Sequence, residues 1–162
     1  MKLKTKQLLA ICQIVIGIIA FFILFAPGFV YEGLLKDYNF TVFEQAFGVD
    51  SDKNLGAAAL GGLDASFGAI VAIALVLAVV VLAILKFVLP KQNKVLNIVI
   101  MVCAIVAAIL LFCGTTALMI NPGADIEVSD LSLKLGAGAI VAAVLCIVNA
   151  VVSCLDEFFV KK

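Results

Sequence analysis

KLKTKQLLAICQIVIGIIAFFILFAPG, residues 2–28, sets Lys2, Lys4 and Lys6 ahead of a long apolar run. The reading of this stretch decides the fold. As a secretory leader it would be cut away, whereas as a permanent helix it fixes how the chain threads a bilayer. The apolar core of a secretory leader is about 7–15 residues long, and residues 8–26 exceed that length with Gln13 as the one interruption. No A-x-A-like cleavage site follows at Phe25-Ala26-Pro27-Gly28, and Leu9-Ala10-Ile11-Cys12 has isoleucine where a lipoprotein cleavage box needs a small residue. The stretch therefore predicts a retained first span anchored by its lysines.

The rest of the chain agrees with a membrane protein. With 162 residues, 65% of them hydrophobic, and a mean hydropathy of +1.30, too little polar surface remains to coat a water-soluble globule. Four stretches, residues 8–26, 65–85, 98–120 and 135–155, carry no charge. Each meets the requirement of ~20 apolar residues for a hydrocarbon core of ~30 Å. Transmembrane helices are expected near 7–27, 65–88, 95–120 and 135–157, within one membrane domain spanning 1–162.

Charge sets the expected orientation, because lysines are retained on the cytoplasmic side. Lys2, Lys4 and Lys6 precede the first span, Lys86, Lys91 and Lys94 surround the second connection, and Lys161 and Lys162 end the chain. The first and third connections hold Lys36, Lys53 and Lys134 against Glu32, Asp37, Glu44, Asp50, Asp52, Asp64, Asp125, Glu127 and Asp130. The net charge of zero thus hides a strong asymmetry. The expectation is a multi-pass plasma-membrane protein with N- and C-termini cytoplasmic.

An external cap is expected over 28–64, since a solvated linker would not hold so many aromatic and aliphatic residues. Tyr31, Leu34, Leu35 and Tyr38 fall at i, i+3, i+4 and i+7, one face of a helix. Thr41-Val42-Phe43-Glu44 fits a capping box with Gly48 as the stop. One or two amphipathic helices are predicted, with Phe43 and Phe47 buried against helix ends or lipid. The fold expected is all-α: an integral membrane up-down-up-down four-helix bundle with a partly helical, amphipathic first external segment.

A faint internal repeat runs through this plan. Pro-Gly follows each odd span, at Pro27-Gly28 and Pro122-Gly123, and Gly-Ala-Ile-Val-Ala opens each even one, at 68–72 and 138–142. A duplicated hairpin would explain the repeat, and so would the frequency of small residues in membrane helices.

Residues that carry chemistry are scarce. There is no histidine, arginine or tryptophan. Cys12, Cys103, Cys113, Cys146 and Cys154 lie in predicted spans without a C-x-x-C pair, so they read as packing residues. Asp50-Ser51-Asp52-Lys53-Asn54 starts like a calcium loop, but Leu55 and Gly61 stand where glycine and glutamate are required. Asn39-Phe40-Thr41 is a glycosylation triplet on the outer side. No catalytic, cofactor-binding or metal-binding residue is expected, and no cofactor. Ion-coupled transport needs an ionisable group at membrane depth, and the four uncharged stretches offer none.

Two deep amides stand out. Gln13 lies seven residues inside Lys6 and Asn149 seven inside Asp156, which places each about 10 Å from its helix end. At matched depth they are expected to make a helix–helix polar contact, side chain to side chain, against the alternatives of bonds to backbone carbonyls or a site for another subunit.

The overall plan, with four spans, inner termini, a long first and a short second external loop, resembles that of claudin-like proteins by topology only; their tryptophan and cysteine loop signature is missing. The lysine-rich start, the phenylalanine-rich approach to Pro27 and the external motif Val42-Phe43-Glu44-Gln45-Ala46-Phe47-Gly48 resemble the small uncharacterised four-span membrane proteins of low-GC Gram-positive bacteria. That resemblance implies no activity. The function expected is a non-enzymatic scaffold or accessory subunit in the lipid bilayer that binds another membrane or envelope protein, with no nucleic acid. The alternative is a small oligomeric channel or exporter subunit, which as a homo-oligomer would need polar residues on one continuous stripe.

Overall fold

The computed structural model describes residues 5–89, 94–123 and 126–158. Lys2, Lys4, Lys91, Lys161, Lys162, Asp125 and residues 90–93 of the second connection lie outside them. Four long helices, α1 (Thr5–Ile23), α4 (Phe67–Val88), α5 (Lys94–Phe112) and α6 (Ala137–Phe158), are long and apolar enough to cross a membrane. Each packs beside the next in sequence and α6 closes on α1, giving an up-down-up-down ring.

The helices are apolar all round, and residue size decides which face turns inward. Ala10, Gly17 and Ala20 of α1, Ala69, Ala72 and Ala83 of α4, Ala104 and Ala107 of α5 and Ala142 and Ala143 of α6 are buried. Large side chains such as Ile19, Phe22, Val81, Ile109 and Val151 face outward. Between lipid-solvated helices, hydrophobicity gives no sorting, and close backbone approach does. Gly17 shows the limit, since a Cβ there would stand 2.8 Å from Val80 Cγ2 on α4.

The chain is not purely all-α. Between α1 and α4 run β1 (Pro27–Glu32), β2 (Asp37–Thr41), α2 (Val42–Phe47), α3 (Leu55–Ala59) and β3 (Leu63–Asp64), and after α5 come β4 (Asn121–Pro122) and β5 (Leu133–Leu135). They form an antiparallel sheet in the order β2-β1-β5 and a two-stranded pair β3-β4. The helix expected through Tyr31, Leu34, Leu35 and Tyr38 is thus corrected to a hairpin. The physical reason is a period of two: Phe29 and Tyr31 pair with Phe40 and Tyr38 on one face, while Val30 and Glu32 meet Asn39 and Asp37 on the other. The four-residue helical match was too short to compete, and Gly33 interrupts it.

The inner face of this sheet builds a second core, separate from that of the bundle, from Phe29, Phe40, Ala57, Leu60, Leu63 and Ile120. Its Phe29 and Phe40 rings stack at 4.9 Å. On the outer face Lys134 pairs with Glu32, whose hydrogen bond raises the lysine pKa above its usual value. The capping box forms: Glu44 N–H donates to Thr41 Oγ1 at 3.2 Å and Thr41 N–H to Glu44 Oε2 at 2.7 Å, and Gly48 ends α2 at φ 86°. In the loop that starts like a calcium site, Lys53 pairs with Glu44 and Asn54 caps α3.

The repeated glycines do equivalent work. Gly138 opens α6 against the backbone at Ala26, with 2.7 Å left for a Cβ, and Gly68 opens α4 against the backbone of Leu118. Each lets an even helix start flush against the chain leaving an odd one.

Candidate functional site

At the end of the bundle opposite the sheet, all four helices contribute to one buried polar cluster. Lys86 of α4 and Asp156 of α6 form an ion pair across the diagonal of the ring, Nζ to Oδ2 at 2.5 Å, and the two residues are 8% and 2% exposed. Lys86 also donates to Gln13 Oε1 of α1 at 2.8 Å, and Gln13 Nε2 donates to Ser153 Oγ at 2.5 Å. From α5, Asn97 Nδ2 donates to Asp156 Oδ2 at 3.3 Å and to Glu157 Oε2 at 3.2 Å. Glu157 faces Lys94 at 3.7 Å, the exposed rim of the cluster.

Helix direction explains the convergence. Side chains lean towards the N-terminus of their helix, so Lys86 and Asp156, near the C-termini of α4 and α6, lean back into the bundle. Gln13 and Asn97, on helices running the other way, lean to meet them. Burying two charges is costly unless geometry and further hydrogen bonds compensate. Here Gln13 and Asn97 supply those bonds.

The two predicted amides are neighbours, and the contact is specific in kind. Asn149 Nδ2 donates to the backbone carbonyl of Gln13 at 3.2 Å, while the Gln13 side chain serves Lys86 and Ser153. Replacing the Gln13 side chain therefore leaves the Asn149 bond standing. Lys86 and Asp156 were missed as partners because the uncharged stretches end at residues 85 and 155, one short of each charge, while Asn97, one residue before the stretch 98–120, and Ser153, inside the stretch 135–155, carry no charge to mark them. The inward stripes carried the signal: Val76, Val79, Ala83 and Lys86 on α4, and Cys146, Asn149, Ser153 and Asp156 on α6, continue one buried face with alternating spacings of three and four.

Towards the sheet the interior turns apolar. Beyond Gly17 the buried positions are Ala20 and Leu24, facing Val76, Ala107, Leu111 and Ala142. The polar cluster is blind on that side.

The cap residues separate into two groups. Phe43 is partly buried, stacked on Phe25 at 4.2 Å and edge-on to Phe21 at 5.8 Å. Phe47 stacks on Phe43 at 6.2 Å and is 70% exposed on the protein surface, so of the two expected settings, helix ends or lipid, it is not buried against the helix ends. Tyr31 and Tyr38 pack against the second core. Leu34 and Leu35, at the hairpin tip, are 107% and 93% exposed. The other end of β1 is seated on the bundle, where Gly136 N–H donates to Gly28 O at 2.9 Å. The tip is therefore the far end of the strand, about 20 Å from Pro27 at ~3.3 Å per residue.

Comparison with protein-family models, with curated proteins and with solved structures finds no match.

Proposed function

We propose that the protein is a non-enzymatic scaffold or accessory subunit of the plasma membrane, with both termini cytoplasmic, that docks another membrane or envelope protein through its cap. Its kinship with the small four-span proteins of low-GC Gram-positive bacteria belongs to the same proposal. The carrying observation is the hairpin tip. Leu34 and Leu35 are fully exposed at the tip of a hairpin whose two phenylalanines, Phe29 and Phe40, are completely buried. Exposed apolar side chains at the distal tip of a hairpin suit insertion into an apolar pocket of a partner. The apolar interior between the polar cluster and the cap gives a single copy no aqueous path, which weighs against the channel or exporter reading.

Photo-crosslinking from position 34 in intact cells tests this reading. A protein adduct mapping to one apolar pocket is expected, lost on Leu35→Ser and absent from a probe at Asn39. Adducts to lipid alone, or equal adducts from both positions, would overturn it.

A further inference from the structure

We propose that α2 is an interfacial foot of the cap, lying at the cap-side edge of the hydrocarbon core with its Phe47 ring among the lipid headgroups and the first acyl carbons. The crossing of a bilayer by the four long helices is the premise; the docking role is not. Every phenylalanine of those helices lies in a first or last turn: Phe21 and Phe22 in α1, Phe67 and Phe87 in α4, Phe112 in α5 and Phe158 in α6. Phe22, Phe67 and Phe112 are exposed at the cap end, and Phe87 and Phe158 at the other. α4 carries both levels, and the rise from Phe67 to Phe87 is about 30 Å, the thickness of a hydrocarbon core. The two sets mark the edges of the apolar slab, the levels at which membrane proteins place their aromatic belts.

α2 is tied to the cap-side level from two directions. Ser66 N–H, one residue before Phe67, donates to the Gln45 backbone carbonyl at 3.0 Å. Gln45 Nε2 donates to the carbonyl of Gly114, two residues past Phe112, at 2.8 Å. Gln45 is thus held between the start of α4 and the end of α5, and Val42 and Ala46 pack into the bundle core. Phe43 and Phe47, one turn apart, take the other side of the helix.

That side continues the outer surface of α1. Phe25 stacks on Phe43 and Phe43 on Phe47, while Phe22 and Phe25 are exposed and follow the outward-facing Ile18 and Ile19. Lipid that covers Ile18, Ile19 and Phe22 therefore reaches Phe25 and Phe47 without a break. The far flank of Phe47 is polar, an open cleft lined by Glu44, Asp50, Asp52 and Asp64. Among the described residues its one cation is Lys53, which is paired with Glu44. The ring stands between an apolar surface and a charged one, as a residue of an interfacial helix does. With carboxylates on the water side, apolar burial holds the foot and anionic lipid is not needed.

The chain has no tryptophan, so a single indole reports its own depth in phosphatidylcholine vesicles. Emission from Phe47→Trp and from Phe67→Trp should be quenched about twofold more by lipid brominated near the glycerol than by lipid brominated near the chain methyl. Leu77→Trp, halfway between Phe67 and Phe87 on the exposed side of α4, should show the reverse order. Asn39→Trp should respond to iodide in the water and to neither lipid. If an indole at position 47 disturbs α2, the wild type still decides: phosphatidylcholine with a diazirine near the glycerol should label the peptide that holds Phe47 as it labels the first turn of α4. The proposal fails if Phe47→Trp responds to iodide and not to brominated lipid, which puts the ring in water. It fails equally if that indole ignores both quenchers, as under a second copy of the chain, if it follows the order of Leu77→Trp, or if the diazirine labels the first turn of α4 without the Phe47 peptide.

Discussion

Replacing Lys86 by methionine is expected to destabilise the bundle by about 3–5 kcal/mol, the cost of stranding one member of a buried ion pair. The Asp156 carboxylate would keep only Asn97 as a donor, and Gln13 Oε1 would lose the ammonium that it accepts from. Adding Asp156→Leu removes the stranded charge and should recover most of the loss, since apolar side chains of similar volume commonly replace a buried pair without penalty. Recovery should be incomplete, because Gln13 and Asn97 remain buried with fewer partners. Unfolding in mixed detergent micelles measures both variants. A Lys86→Met protein within about 0.5 kcal/mol of the wild type, the range of an ordinary surface substitution, would mean that the charge is not buried.

Phe40→Ala should act at the opposite end and nearly as strongly. The ring is fully buried and stacked on Phe29, and truncating such a phenylalanine costs about 3–5 kcal/mol through lost burial and the cavity left behind. The sheet has three short strands and the second core is small, so the cap should open locally while the helices hold. Hydrogen exchange separates the two: amides of β1, β2 and β5 should lose protection while those in the middle of α4 and α6 keep it. Uniform loss across cap and helices would show one cooperative unit in place of two cores.

Much of the bundle is legible in the sequence because a membrane span is defined by length and the absence of charge, both read directly. Which residues turn inward is also legible, through the alternating three-and-four spacing of Ala10, Gln13, Gly17 and Ala20 and its counterparts on the other helices. The ion pair is lost when spans are trimmed to uncharged residues, since Lys86 and Asp156 extend the buried stripes one residue past that boundary. Carrying each stripe to the helix end would have found it. The sheet is harder to see. β1 draws its stability from pairing with β2 and with β5, whose residues lie more than a hundred positions away, and such contacts leave no local periodicity beyond Phe29/Tyr31 and Tyr38/Phe40. Leu34 and Leu35 mislead for the same reason: placed on a helical face they look buried, and placed at a hairpin tip they are free.

The central claim is that the cap and the polar cluster lie on opposite sides of a bilayer, with the cap outside. Single cysteines at Ser51, Ser129 and Lys94, probed on intact cells with a membrane-impermeant maleimide, test it most directly. Ser51 and Ser129 belong to the two cap segments, and Lys94 opens α5 at the other end. Labelling of positions 51 and 129 in intact cells, and of position 94 only after permeabilisation, is the predicted result; labelling of position 94 in intact cells would contradict the account.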